Sequence, residues 1–219
     1  MKRIIATILL CAPLGLLHAA EPAADDKDPP WTSETWVATM KAMPKGDIGK
    51  GKALYTEGYC VSCHGDAGVP LTEGAPTIAG QDPFFTYKAL LDYQRGVLHI
   101  DDKSLVMMAA ATPMTEQDMA DLGAYLGSLT RPQKIDDPTK LPGHDMARMC
   151  RGCHGQTGLG GKNHAGPALA GLNPFYLRRQ LEAFQKGRRH NEINSMMFNI
   201  MGTWSQKQID DLVAYYSAL

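Results

Sequence analysis

A five-residue motif, Cys-x-x-Cys-His, occurs twice in this chain, at residues 60–64 and 150–154. Two thiols two residues apart, followed at once by an imidazole, are typical of c-type haem attachment, in which the thiols bond to two vinyl groups and the histidine binds the iron. A lone Cys-x-x-Cys could instead be a disulfide, a zinc half-site or a thioredoxin-like redox pair. A zinc ribbon would need roughly 15–20 residues between its cysteine pairs, and the strand pattern of a thioredoxin is absent. Haem attachment is favoured because the flanking sequence repeats with the motif. The predicted attachment residues are Cys60, Cys63, Cys150 and Cys153, with His64 and His154 as iron ligands.

The repeat extends well beyond the motif. Residues 74–129 and 166–219 align at an offset of 91 residues, which becomes 90 after a one-residue deletion. Thr115 and Ser205 each open a predicted helix, and Ser205 forms a capping box with Gln208. Apolar residues then recur at helical spacing in both copies: Met119, Leu122, Leu126 and Leu129, then Ile209, Leu212, Tyr216 and Leu219.

This pattern predicts an all-α fold made of two tandem domains that arose by internal duplication. The expected domains are residues 46–131 and 143–219, and the segment 132–142 between them contains prolines suited to a semi-rigid linker. No alternation of useful length indicates a β-strand. Each predicted domain therefore has its own haem motif and its own closing helix.

The first twenty residues predict a secretory signal peptide. A basic start is followed by an apolar stretch from Ile4 to Leu17 and by the small residues Ala19 and Ala20. The apolar stretch is too short for a transmembrane anchor, and no later stretch is long enough to span a bilayer. We expect export to a bacterial periplasm, where c-type haem is attached. Residues 21–45 form an N-terminal extension with Trp31 and Trp36, for which packing on the first domain is favoured over contact with a partner.

The counts of cysteines and charged residues argue against some alternative functions. Of the five cysteines, Cys11 belongs to the signal peptide and four belong to the motifs, so none remains for a disulfide or an axial thiolate. Removal of Lys2 and Arg3 with the signal leaves 20 basic against 23 acidic residues. This slightly acidic balance disfavours nucleic-acid binding.

Each haem iron needs a ligand opposite its histidine, and methionine, histidine, lysine and water are the remaining candidates. Met107 and Met197 lie eight residues before the two helix starts, and only there is methionine present in both copies. Their alternative role is to fill core space. His99 and His190 also match across the repeat, so bis-histidine ligation is the rival. Methionine raises the reduction potential and closes the sixth position, which favours electron transfer over catalysis.

From Gly46 onward the chain resembles the diheme cytochrome c4 family and the related c553-type cytochromes. The resemblance rests on the two motifs with their following glycines, on the aromatic-x-x-Gly helix ends, on Met107 and Met197, and on the segments from Pro76 to Gly80 and from Pro167 to Gly171. It implies two class I cytochrome c folds related by pseudo-twofold symmetry, with haems that meet near the domain interface. It also implies that the carbonyls of Pro76 and Pro167 accept hydrogen bonds from the ligand imidazoles.

The leading hypothesis is a periplasmic diheme electron carrier between respiratory or dehydrogenase donors and a terminal oxidase or reductase. Its expected partners are redox proteins. The carrier itself is expected to have no transmembrane anchor, and its peripheral association with a membrane stays open. The rival class is an enzyme: a diheme peroxidase, which needs an open haem, or a diheme thiosulfate dehydrogenase, which uses an axial cysteine. A third hypothesis is the electron-accepting subunit of an enzyme complex, with Trp31 and Trp36 as docking contacts.

Overall fold

The computed structural model describes residues 31–134, 137–161, 164 and 166–219, so the signal peptide prediction and Cys11 lie outside the described residues. Within these ranges the chain forms ten α-helices, and its only β-type pairing is a bridge between Trp31 and Ile193. This confirms the all-α prediction. The helices are α1 (Ser33–Ala42), α2 (Ile48–Glu57), α3 (Val61–His64), α4 (Pro83–Gln94), α5 (Asp102–Ala111), α6 (Glu116–Ser128), α7 (Ala147–His154), α8 (Pro174–Gln185), α9 (Met196–Met201) and α10 (Gln206–Ala218).

The helices of the second half repeat those of the first at the same offsets. Helices α4 and α8 each have 12 residues and begin with a proline, whose missing N–H costs nothing at a helix start. Helices α6 and α10 each have 13 residues and begin with a capping box, formed by Thr115 with Asp118 and by Ser205 with Gln208. Matched local signals therefore give matched helices.

The first half is built around α6, against which α2 and α4 pack. At the crossing of α2 and α6, a Cβ on Gly51 would lie 1.9 Å from the carbonyl oxygen of Asp121, so only glycine allows this approach. The second half has no helix equivalent to α2. There Gly143 lies against the matching Asp211, and a Cβ would come within 2.4 Å of its carbonyl oxygen. A short segment thus takes the place of a whole helix.

The two halves have separate hydrophobic cores. In the first, Tyr55, Phe84 and Met119 are almost entirely buried among the faces of α2, α4 and α6. In the second, Leu177 of α8 and Ile209 of α10 are buried, and Ile209 matches Met119 in the repeat. Each half thus has a main core of its own, as the duplication of a small domain produces, and a smaller cluster of Leu98, Ile100 and Ala183 is shared between the halves.

The halves contact each other through matching loops. The hydroxyl of Thr77 donates to the carbonyl of Gly171 at 3.1 Å. The side-chain amide of Gln81 bonds the backbone of Ala168 twice: its Nε2 donates to the carbonyl at 3.3 Å and its Oε1 accepts from the N–H at 2.8 Å. The loops that follow Pro76 and Pro167 are therefore held directly against each other.

The N-terminal extension joins the same two halves at a second place. The indole N–H of Trp31 donates to Asp92 at 2.8 Å, and the Trp31 carbonyl accepts from the backbone N–H of Asn194 at 2.8 Å. Asp92 also accepts from Lys88 at 2.5 Å and from the side chain of Asn191 at 2.7 Å. This ion pair is buried and satisfied from both halves, which is the condition under which buried charges are tolerated. Trp31 and Trp36 are 4% and 9% exposed, so the predicted packing of these two tryptophans is confirmed.

Replacing Trp31 with phenylalanine should destabilise the protein by about 1.5–3 kcal/mol, because Asp92 then loses a donor to its buried carboxylate. Urea unfolding followed by circular dichroism measures the change. Trp36→Phe is the matched control, since Trp36 makes an edge contact with Phe84 at 5.2 Å through its ring alone. Equal losses in the two variants would show that the hydrogen bond to Asp92 does not stabilise this contact.

Candidate haem sites

The first motif begins three residues after α2 and continues through the short helix α3. Cys60 precedes α3 and is half-buried, Cys63 is exposed, and both thiols are free. Burial raises the pKa of Cys60. After His64 the chain turns sharply at Gly65, where φ is +75° and a Cβ would lie 2.1 Å from the carbonyl oxygen of Val69. The glycine after the motif is therefore required by the backbone.

The second motif is the C-terminal part of α7 and has the same geometry. Cys150 and Cys153 are half-buried and free. Gly155 has φ of +82°, and a Cβ there would lie 2.3 Å from the carbonyl oxygen of Gly160. Each motif thus presents two unpaired thiols one helical turn apart on one short helix, followed by an obligatory glycine turn.

The histidine of each motif is buried and oriented by one hydrogen bond. His64 Nδ1 donates to the carbonyl of Pro76 at 3.1 Å, and His154 Nδ1 donates to that of Pro167 at 2.9 Å. Because a carbonyl can only accept, the proton is on Nδ1 and the lone pair of Nε2 is available to a metal. Burial lowers the pKa of both imidazoles, against the weaker opposing effect of the carbonyl. The rings are therefore kept in their neutral, ligating form.

The two candidate methionines occupy matching environments. Met107 lies in α5 and Met197 in α9; both are half-buried and pack against the core of their own half. Those same cores include Cys60 and Cys150, so each methionine shares a cluster with a motif cysteine. Met201, by contrast, is 1% exposed and is a packing residue.

The rival histidines are placed differently from the methionines. His99 is exposed in the connection between α4 and α5. His190 is half-buried, with Nε2 2.5 Å from the carbonyl of Gly187 and its ring 5.1 Å from that of Phe198. His99 is therefore open to solvent, and His190 lies against Gly187 and Phe198. The packing of Met107 and Met197 against the cores is compatible with methionine as the second ligand, and the ligand role stays a prediction.

The donor set fits a covalently attached haem. Within the described ranges, no three His, Cys, Asp or Glu side chains come together in a way that could hold a bare metal ion, so the cysteine pairs do not combine into a zinc-type site. What each half offers instead is two free thiols and one imidazole with an available Nε2. That is the set of groups that a haem needs for two thioether bonds and one axial bond. None of the described helices is long and apolar enough to cross a membrane.

One residue near these sites could not be identified from the sequence patterns. Arg131, the last residue of the predicted first domain, donates through Nη1 to the carbonyls of Thr77 and Ala79, at 3.3 and 3.0 Å, and through Nε to that of Ala170. It is therefore bound to both loops that follow the histidine-holding prolines. No motif or periodicity could have found it, because its partners are 39 to 54 residues away along the chain.

Known proteins with similar sequences and structures agree with this geometry. The family model for cytochrome c matches residues 48–130 and again residues 143–219. Cytochrome c4 of Thiocapsa roseopersicina is 30% identical over 185 residues, covering 80% of this chain and 93% of that protein. A thiosulfate dehydrogenase electron acceptor of Stutzerimonas stutzeri strain A1501 is 26% identical over 202 residues, covering 83% of this chain and 91% of that protein.

The solved structures give the same result for the fold. The crystal structure of reduced recombinant cytochrome c4 from Pseudomonas stutzeri superimposes with a TM-score of 0.70 and 28% identity, covering 80% of this chain and 99% of that one. Both cytochrome domains and their tandem order are thereby confirmed. This chain accordingly belongs to the cytochrome c family, as a two-domain protein of the cytochrome c4 type that carries two covalently bound haem c groups.

Proposed function

We propose that this protein is a periplasmic diheme electron carrier. It takes electrons from a respiratory or dehydrogenase donor and passes them to a terminal oxidase or reductase, after residues 1–20 have been removed as a signal peptide. The observation that carries the proposal is the pairing of two matched sites, each with a buried, oriented histidine and a half-buried methionine. Two closed sites in one chain suit the passage of electrons more than the binding of a substrate.

In this proposal each residue of the site has a defined task. The haem supplies a one-electron change between ferric and ferrous iron. The Nδ1 proton on each histidine, shared with a proline carbonyl, holds the ring in one orientation and makes Nε2 a better donor. The soft thioether of each methionine favours the ferrous state and excludes oxygen or peroxide from the iron. The proposed residues are Cys60, Cys63, His64, Pro76 and Met107 for the first haem, and Cys150, Cys153, His154, Pro167 and Met197 for the second.

Transfer between the two sites has a direct structural basis. The loops that hold the two histidines touch through Thr77 and Gly171, and through Gln81 and Ala168. These contacts keep residues 46–131 and 143–219, the proposed domains, in one arrangement across the linker 132–142. A fixed arrangement keeps the two haem sites at a constant separation, so that the domains need not reorient before each transfer between them.

A second candidate function is a dedicated electron acceptor for one enzyme. It is favoured by the relative named as a thiosulfate dehydrogenase electron acceptor. The two functions share the same chemistry and differ only in how many donors the protein serves. An enzyme with an axial cysteine has no support here, because all four cysteines of the described ranges belong to the two motifs.

The residues that flank the two motifs along the chain differ in charge, which bears on the partners. Glu57 and Asp66 are exposed beside the first motif, whereas beside the second Arg148 is exposed, Arg151 is half-buried and Asp145 is exposed. The difference extends to the whole domains: residues 46–131 have 6 Lys and Arg against 11 Asp and Glu, and residues 143–219 have 9 against 5. We infer that a partner with a basic face docks on the first domain and one with an acidic face on the second.

Substitution of either Met107 or Met197 by alanine should remove about half of the near-infrared absorbance that arises from thioether–ferric charge transfer, and should lower the potential of one haem. The matched controls are Met108→Ala and Met196→Ala, which remove the neighbouring methionine and should leave the spectrum unchanged. Wild-type spectra in both ligand variants, together with altered spectra in His99→Ala or His190→Ala, would establish bis-histidine ligation instead.

Arg148→Glu should slow oxidation of the reduced protein by hexacyanoferrate(III), an anionic probe, by about tenfold at low ionic strength. Glu57→Lys should slow reduction of the oxidised protein by the cationic probe hexaammineruthenium(II) in the same way, and both effects should disappear near 1 M salt, where the Debye length is about 3 Å. Stopped-flow absorbance measures both rates, with Lys207→Glu as the matched control. If the control Lys207→Glu slowed the two reactions as much as Arg148→Glu and Glu57→Lys do, separate docking surfaces would be contradicted. Rapid catalytic reoxidation of the wild type by peroxide would contradict the carrier function.

A further inference from the structure

Arg131 has an unusual position for an arginine. It is only 6% exposed, and its Nε and Nη1 bond three carbonyl oxygens from both halves of the molecule. Its third nitrogen, Nη2, is also buried, and within the described ranges no protein atom accepts a hydrogen bond from it. A buried guanidinium N–H without an acceptor costs free energy comparable to a lost hydrogen bond.

The charge of Arg131 is likewise not balanced by the described part of the chain. Burial lowers its pKa to about 10, so the group is still a cation at neutral pH. All its acceptors are backbone carbonyls, and no carboxylate in the described ranges forms an ion pair with it. A buried cation is normally kept by a nearby anion. The anion that belongs here should therefore come from something other than these residues.

A haem propionate is a carboxylate that would meet this requirement. Thr77 and Ala79 follow Pro76, whose carbonyl holds His64, and Ala170 follows Pro167 in the corresponding loop. A guanidinium fork matches a carboxylate well and is preferred over an ammonium group for such contacts. We infer that Arg131 donates from Nη2 to a haem propionate at the interface between the two domains.

This inference rests on the proposed haem sites and adds a specific role for Arg131. A fixed cation keeps the propionate ionised and favours the ferrous state of that haem, because reduction adds negative charge beside it. The same side chain fastens the histidine-holding loops of both domains. Arg131 is thus a positioning residue that ties the potential of one haem to the integrity of the domain interface.

Three proteins test the inference in one experiment: the wild type, Arg131→Gln and Arg131→Lys. Midpoint potentials are measured by spectroelectrochemistry from pH 5 to pH 8, with Arg95→Gln, an exposed arginine of the same domain, as the control. In Arg131→Gln one haem should shift to lower potential and acquire a pH-dependent potential in this range, because its propionate now titrates. Arg131→Lys should restore part of the wild-type profile, and Arg95→Gln should match the wild type.

The result that overturns the inference is an Arg131→Gln protein with wild-type potentials and a wild-type pH profile, even if it melts at a lower temperature. Such a protein would show that Arg131 acts only through its hydrogen bonds to the backbone carbonyls and not on a propionate. If that variant does not fold, infrared redox difference spectra of the wild type carrying haem with ¹³C-labelled propionates decide the question. One propionate should stay ionised from pH 5 to pH 8, and titration of every propionate in that range would refute the contact. A wrong assignment of the carrier function would appear in the oxidation kinetics with peroxide, whereas a wrong inference about Arg131 would appear in the potentials. The two failures are therefore distinguishable.

Discussion

The hydrogen bond from each motif histidine to a proline carbonyl is the interaction on which the rest of the structure depends. It fixes the imidazole, and the loop that supplies the carbonyl is itself fixed by the last helix of its own half. The N–H of Gly80 donates to the carbonyl of Leu126 at 2.9 Å, and that of Gly171 donates to Tyr216 at 2.8 Å. Each motif imidazole, the proposed iron ligand, is therefore connected through one loop to the closing helix. The same two loops also contact each other across the domain interface.

The duplication has kept these contacts and changed what surrounds them. Both halves use the same histidine, proline and glycine positions, because the backbone leaves no alternative at Gly65 and Gly155. The surfaces beside the motifs are not constrained in this way, and their charge differs: it is acidic beside the first motif and mainly basic beside the second. The N-terminal extension is also asymmetric, since its tryptophan binds the buried Asp92 of one half and the backbone of the other. Matched haem sites with unlike surroundings suit a protein that meets a different partner at each domain.

The parts of the fold that could be predicted from the sequence are those fixed by residues close together in the chain. The capping boxes at Thr115 and Ser205 involve residues three positions apart, and the two motifs are complete within five residues. The buried network around Asp92 could not be predicted, because its contacts with Trp31 and Asn191 span 61 and 99 residues. For the same reason the sequence left two roles open for Trp31 and said nothing of Arg131. Matching by repeat selected Met107 and Met197, and packing in the cores agrees with that choice without establishing ligation.

The central claim is that both haems are closed by methionine and change charge without changing ligands. A potentiometric titration of the wild-type protein, followed by visible and near-infrared spectra, tests it most directly. Two one-electron steps are predicted, with the thioether–ferric band present for both haems when oxidised and low-spin spectra throughout. A haem without that band, or one that becomes high-spin on reduction, would contradict the account and would point to an open site capable of substrate chemistry.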